Sequence, residues 1–229
     1  MSLLARDFYE RDPKVVAAEL IGKHLVRRTL QGVCSGIIVE TEAYLATDDP
    51  ASHSYRGKTR KNATMFGRAG LLYVYPIHGR YCLNAVTETR GVASAVLIRA
   101  VQPILGIELM QFRRQSPLID LARGPARLCE AYAVDRQLDG WDLTQGRRIW
   151  IESAPLEITT EDSAIKIQIT RRIGVTSAHD FQLRYIARNC EFVSGPRKHA
   201  DALKTDNSIR LVVCNDLEPP HFPDGAYSN

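Results

Sequence analysis

Nine residues, Gly36-Ile37-Ile38-Val39-Glu40-Thr41-Glu42-Ala43-Tyr44, restrict the fold of this chain more than any other run. The apolar opening Ile37-Ile38-Val39 reads as a strand. Side chains two apart in a strand share a face, so Glu40, Glu42 and Tyr44 form one polar stripe. Two carboxylates that close raise the pKa of one of them, which suits a general base held near neutral pH. The same stripe also fits a solvated strand edge, a common place for paired acids.

The remaining pattern mixes strands with a few helices. Asp12 caps a helix running to about His24, with Pro13 at its first position and an apolar stripe of Val15, Val16, Ala18, Leu20 and Ile21. Leu25 to Leu30 is a strand that turns at Gln31-Gly32 into the strand above. Residues 46 to 70 form a long irregular loop, which in a compact domain is functional or disordered. A hairpin follows, with strands Leu71 to Tyr75 and Tyr81 to Val86 and a turn at Pro76-Ile77-His78-Gly79. Ser94 to Ala100 reads as a buried strand, Pro103 to Gln115 and Pro125 to Gln137 as helices. Further strands fall at Arg148 to Ile151, Ile165 to Thr170, Leu183 to Ala187 and Ile209 to Val213. The segment from Leu217 onward has no periodic pattern and reads as a frayed tail. No repeat or linker divides the chain, so the expectation is one α+β domain over 1–229.

Charge narrows the partners. Residues 50 to 87 hold Arg56, Lys58, Arg60, Lys61, Arg68 and Arg80 and no acid. The chain has 30 Lys plus Arg against 26 Asp plus Glu, so without those six cations it would be acidic. The same stretch contains Tyr73, Tyr75 and Tyr81, and cations interleaved with rings suit nucleic acid. No apolar run approaches the roughly 20 residues of a membrane span, and charge appears too early for a signal peptide. A membrane partner is not expected. The five cysteines (34, 82, 129, 190 and 214) are scattered without a CxxC pair, which points to a reduced compartment, isolated thiols and no metal site. Nothing in the sequence forms a glycine-rich phosphate loop, a serine elbow or a lysine nucleophile motif, so no cofactor is expected.

Individual residues have competing readings. Arg99, near the end of an apolar strand, could orient a water or a carboxylate, or reach to the surface. His53 in the loop reads by itself as a surface side chain. His78, between Pro76 and Gly79 at the hairpin tip, could wedge into a base stack or stand exposed in its turn. Tyr44, Tyr73, Tyr75 and Tyr81 fit cross-strand packing, and only the basic neighbourhood tilts them toward base stacking.

Taken together, Val39-Glu40-Thr41-Glu42-Ala43-Tyr44, His53, Tyr73-Val74-Tyr75 with Gly79 and Asn84 resemble the 3-methyladenine (alkylpurine) DNA glycosylases of the mammalian alkyladenine type. The resemblance continues through Leu97-Ile98-Arg99-Ala100, Arg123-Gly124-Pro125-Ala126-Arg127-Leu128-Cys129 and Arg172-Ile173-Gly174-Val175, and spans about residues 10 to 195. It implies a single mixed domain with a curved antiparallel sheet, flanking helices and a hairpin that enters the minor groove. It also implies base-excision repair: a damaged purine, alkylated or deaminated, is flipped from double-stranded DNA and its N-glycosidic bond hydrolysed.

The resemblance assigns roles by position. Glu42 activates the water, which Arg99 and the backbone carbonyl of Ile173 help to hold. Tyr44, His53, Tyr75 and Asn84 surround the flipped base, and Glu40 is a structural carboxylate. His78 fills the gap left by the base, where the family usually has tyrosine, and Met65 leans on the opposite strand. The hairpin after Gly79 is one residue shorter than in the mammalian relatives. Arg56, Lys58, Arg60, Lys61, Arg68 and Arg80 are expected on the DNA backbone. The absence of a pocket lysine implies a monofunctional enzyme without a lyase step. A monomer is expected, in the cytoplasm and nucleoid-associated if bacterial, nuclear if eukaryotic. The alternatives are a non-catalytic nucleic-acid binding module and a hydrolase of free nucleosides.

Overall fold

The computed structural model describes residues 2–153 and 165–195, and Met1–Gly195 form one compact unit. The strand expected at Ile209 to Val213, the tail from Leu217 and Cys214 lie outside the described residues. The fold is α+β, built on a curled antiparallel sheet of eight strands.

Its organising strand is β2 (Gly32–Tyr44), longer at its start than the sequence suggested. One side of β2 pairs with β5 (Ser94–Leu105) along most of its length. The other side is divided. Residues Gly32 to Ile37 pair with β1 (His24–Thr29), and Glu40 to Glu42 pair with β8 (Arg184–Ala187). Beyond β1 lies β6 (Ile149–Glu152), and β8 carries β7 (Ile167–Thr170). At the far edge the hairpin strands β3 (Leu72–Ile77) and β4 (Arg80–Thr87) join through β4 to β5.

Among the described residues four short α-helices accompany the sheet: α1 (Arg6–Tyr9), α2 (Pro13–Leu20), α3 (Ile107–Arg114) and α4 (Pro125–Ala131). Val16, Ala17 and Leu20 of α2 share one apolar core with Leu128, Cys129 and Ala131 of α4 and with Ile38, Val96 and Ile98 of the sheet.

Three helix boundaries differ from the sequence reading, each for a backbone reason. Asp12 does cap α2, accepting from the Lys14 amide at 2.7 Å, but the helix ends at Leu20. Gly22 turns the chain at φ +88°, and His24 begins β1. Pro103 does not start a helix. It pairs with Gly36 inside β5, and α3 begins only after Gly106, whose φ is +72°. Any side chain at Gly106 would meet the Val33 carbonyl at 2.2 Å, so this turn requires glycine. The helix α4 stops at Ala131 because Ala133 takes a positive φ of 47°, and a separate 3-10 turn occupies Arg136–Leu138.

The hairpin turn is also tighter than expected. Pro76 and Ile77 remain in β3, opposite Tyr81 and Arg80, leaving His78-Gly79 as a two-residue loop. Both have positive φ, 47° and 75°, the signature of the primed turn whose twist matches its strands. Proline is tolerated in β3 because it is an edge strand.

Candidate active site

The register of β2 against β5 slips between Ile38 and Glu40 and again between Glu40 and Thr41. Val39 and Arg99 fall at these irregularities, without a partner in the β2–β5 register. Such bulges re-aim side chains. Arg99 is thereby brought against the Glu40–Glu42 face of β2. Its Nε donates to Glu40 Oε1 at 2.8 Å, and its Nη1 lies 3.2 Å from Glu42 Oε2. The same Nη1 is 3.4 Å from the Ile173 carbonyl, while the Ile173 amide donates to Glu42 Oε1 at 2.8 Å. The Tyr44 hydroxyl donates to Glu42 Oε2 at 2.9 Å. The structure thus gathers Glu42, Arg99, Ile173 and Tyr44 from three separate segments.

The two glutamates, both fully buried, have opposite electrostatics. Burial pushes the Glu42 carboxyl above its ordinary value, and Arg99, the Ile173 amide and Tyr44 offset this only in part. Glu40 is desolvated as well, but Arg99, Arg184 and the Ser194 amide hold it below the usual range. The Tyr44 phenol is raised by burial and by Glu42, so it stays protonated and remains a donor.

Tyr44 also lines an open cavity of about 310 Å³, within the roughly 300–1,000 Å³ common for small-molecule sites. His53, Tyr73, Tyr75, Asn84, Met65 and Gly174 are among its other walls. The His53 ring meets Tyr75 edge-on at 4.5 Å, and its Nδ1 lies 3.0 Å from the Tyr73 hydroxyl. Although part of His53 stays exposed, burial of the ring lowers its pKa and favours the neutral form. Burial also raises the Tyr73 phenol, to about 12. Asn84 is buried on β4 and donates from Nδ2 to the Tyr73 carbonyl at 3.1 Å. Glu42 does not line the cavity and connects to it through Tyr44.

Met65, which the resemblance places against the opposite DNA strand, is 2 % exposed in the free protein and packs with Tyr73, Val86, Ala93 and Ala95 beside the cavity. Its flexible apolar chain fills that gap better than it would a polar surface.

The expected DNA-facing residues divide into two groups. His78 is exposed at the hairpin tip, and Arg56, Lys58, Arg60 and Lys61 are exposed in the 46–70 loop. Among the described residues, no ion pair engages those four cations. Arg68, by contrast, is tied to the buried Asp142 at 3.0 Å, and Arg80 stands 3.8 Å from Glu130.

The loop itself is built, not slack. Asn62 is buried and accepts from the Thr59 amide at 2.6 Å while donating to the His53 and Gly57 carbonyls. Asp49 accepts from the Leu45 and Ala51 amides and forms a two-pronged pair with Arg172, both contacts 2.7 Å. Arg172 also lies 4.6 Å from the Tyr44 ring centroid. Sequence reasoning missed Asp49 and Asn62 altogether. The only available signal was polar side chains capable of stapling turns within a long loop.

The geometry can be set beside known proteins. The model of the methylpurine-DNA glycosylase (MPG) family matches residues 7–191. A protein of Koribacter versatilis is 44 % identical over 199 residues, covering 85 % of this chain and 94 % of its own length. One from Rhodopirellula baltica is 43 % identical, covering 86 % of this chain and 84 % of its own. One from Methanoculleus marisnigri is 44 % identical, covering 82 % and 96 %. All three are named as candidate 3-methyladenine DNA glycosylases. Also, no described helix is long and apolar enough to cross a membrane. With a family model matched from near its start to beyond β8, the chain belongs to the methylpurine-DNA glycosylase family, the DNA glycosylases of base-excision repair.

Proposed function

We propose that this glycosylase rotates an N-alkylated purine, 3-methyladenine being the first candidate, out of duplex DNA and hydrolyses its glycosidic bond with a water activated by Glu42. One observation carries the reading: a buried glutamate of raised pKa, held by Arg99, Ile173 and Tyr44, is linked through that tyrosine to an aromatic cavity. Glu42 takes the proton as the water attacks C1′, and its charge stabilises the oxocarbenium character that develops there. Arg99 and the Ile173 carbonyl orient the water.

The cavity suits a cationic base. Tyr44 and Tyr75 line it with aromatic rings that can stack on an alkylpurine, and a neutral His53 adds no opposing charge. Flipping costs a few kcal/mol of unstacking, roughly. His78 at the two-residue turn fills the vacated stack. Among the described residues no lysine lines the cavity, so water is the expected nucleophile and borohydride should trap no covalent adduct with an abasic site. The protein acts as a monomer.

The deciding experiment is release of free base by the wild-type protein from a methylated duplex, beside the matching free nucleoside. Release from the duplex alone is expected. Tight binding without release from any alkylated, deaminated or etheno-bridged duplex would leave only a binding module, and release from the nucleoside would point to a nucleoside hydrolase. Salt gives an independent check. If Arg56, Lys58, Arg60 and Lys61 contact phosphates, log affinity falls against log salt with a slope of roughly −3 to −4. Lys58→Ala with Arg60→Ala should flatten that slope by about two. An unchanged slope would move the phosphate contacts elsewhere.

A further inference from the structure

Glu40 is a buried carboxylate beside the site that accepts four hydrogen bonds. Its Oε1 accepts from Arg99 Nε at 2.8 Å, Arg184 Nε at 2.7 Å and Ser194 Oγ at 2.9 Å, and its Oε2 accepts from the Ser194 amide at 2.7 Å. The surroundings are fixed in turn. Arg184 Nη2 donates to the Ser194 carbonyl at 2.9 Å, and Arg123 Nε holds the Val193 carbonyl at 2.8 Å. Ser194 Oγ also stands 3.4 Å from Arg99 Nη2.

This grip determines how Arg99 meets Glu42. A guanidinium facing one carboxylate prefers two parallel bonds. Here Glu40 occupies Nε and Ser194 occupies Nη2, so only Nη1 faces Glu42. We propose that Glu40 is a positioning residue for the reaction: by holding Arg99 edge-on, with Ser194, it prevents a two-pronged pair that would neutralise Glu42 and occupy the oxygen facing the water.

The inference rests on Glu42 being the base. Its charged and titratable surroundings are Glu40 and Tyr44 on β2, Arg99 on β5, Arg184 on β8, Cys82 on β4, and Arg172 beside the Ile173 amide. Among the described residues, Glu40 and Ser194 restrain the Arg99 guanidinium on the side away from Glu42.

The test is the pH dependence of single-turnover base release from a methylated duplex. Glu40→Asp keeps the buried negative charge but draws it back from Arg99 and Arg184, which share Oε1. Ser194→Ala removes the restraint on Nη2 and leaves the Ser194 amide in place. If Arg99 then closes on Glu42, the carboxylate is stabilised and the acid limb of the profile moves to lower pH. The expected displacement is about one pH unit in Glu40→Asp and less in Ser194→Ala. The plateau rate falls about tenfold in Glu40→Asp, as the water loses its orienting nitrogen.

An acid limb unmoved in folded Glu40→Asp would overturn the proposal and leave Glu40 a purely structural partner. Should that variant fail to fold, an unmoved limb in Ser194→Ala does the same. Failure of the functional reading looks different, since the wild type would then release no base at any pH.

Discussion

Glu42→Gln is expected to lower base release by about 100- to 10,000-fold, the usual contribution of a positioned general base, with duplex affinity unchanged. The substitution is nearly isosteric, and the amide oxygen can still accept from the Ile173 N–H that now reaches Glu42 Oε1 at 2.8 Å. Stability should hold as well. The folded pKa of Glu42 is raised, so the stability this carboxyl contributes is present below its unfolded pKa and lost as pH rises through the folded value. At neutral pH the ionised group is therefore a burden to the fold, and a neutral amide removes it. For activity the sign is opposite. In the proposed mechanism the ionised form takes the proton, so wild-type turnover should climb as pH rises through that raised pKa. A variant that kept wild-type turnover would remove Glu42 from the mechanism. A variant that lost both turnover and thermal stability would mean that the carboxylate is structural.

What the sequence disclosed and what it withheld follow from the range of the forces involved. The period of two in β2 put Glu40, Glu42 and Tyr44 on one face, and the structure keeps them there because one face of a strand is a local property. The hairpin was legible for the same reason, although its turn shrank to His78-Gly79 once Pro76 proved acceptable at a sheet edge. Helix ends were less visible. Ala133 bends the backbone at φ 47° without the glycine that would have announced it, and Pro103 can open a helix or sit in an irregular strand equally well. The division of labour between the two glutamates was hidden more deeply. Spacing alone makes them equivalent, and what separates them is Arg184 and Ser194, 144 and 154 positions downstream of Glu40. No local pattern encodes contacts at that separation. Resemblance to a family supplied positions for the site residues, but it carried no account of why Arg99 faces Glu42 through a single nitrogen.

Asp49→Ala should be the most destabilising single change near the site. Asp49 and Arg172 side chains are both 0 % exposed and meet in two 2.7 Å contacts, so removing one leaves a buried charge without its partner. Breaking such a pair costs about 3–5 kcal/mol, which for a chain of this size lowers the melting temperature by roughly 10 °C. The damage reaches the cavity as well. Asp49 joins the Leu45 and Ala51 amides to Arg172, and Arg172 bonds the Ala43 carbonyl and packs against Tyr44. One carboxylate therefore ties together the end of β2, the loop leading to His53 and the segment leading to Ile173. Under the proposed mechanism substrate affinity and turnover should both fall, since Tyr44 at the cavity wall and the Ile173 carbonyl lose the same anchor. A paired variant separates charge from packing: Asp49→Ala with Arg172→Met removes both ions and keeps an apolar chain against Tyr44. It should recover part of the lost stability, because the penalty in the single variant comes mostly from the stranded cation. Melting and urea midpoints of the two single variants and the double decide it. Strictly additive losses would mean that the two side chains support the site independently, and the clamp would then be no more than two neighbouring contacts.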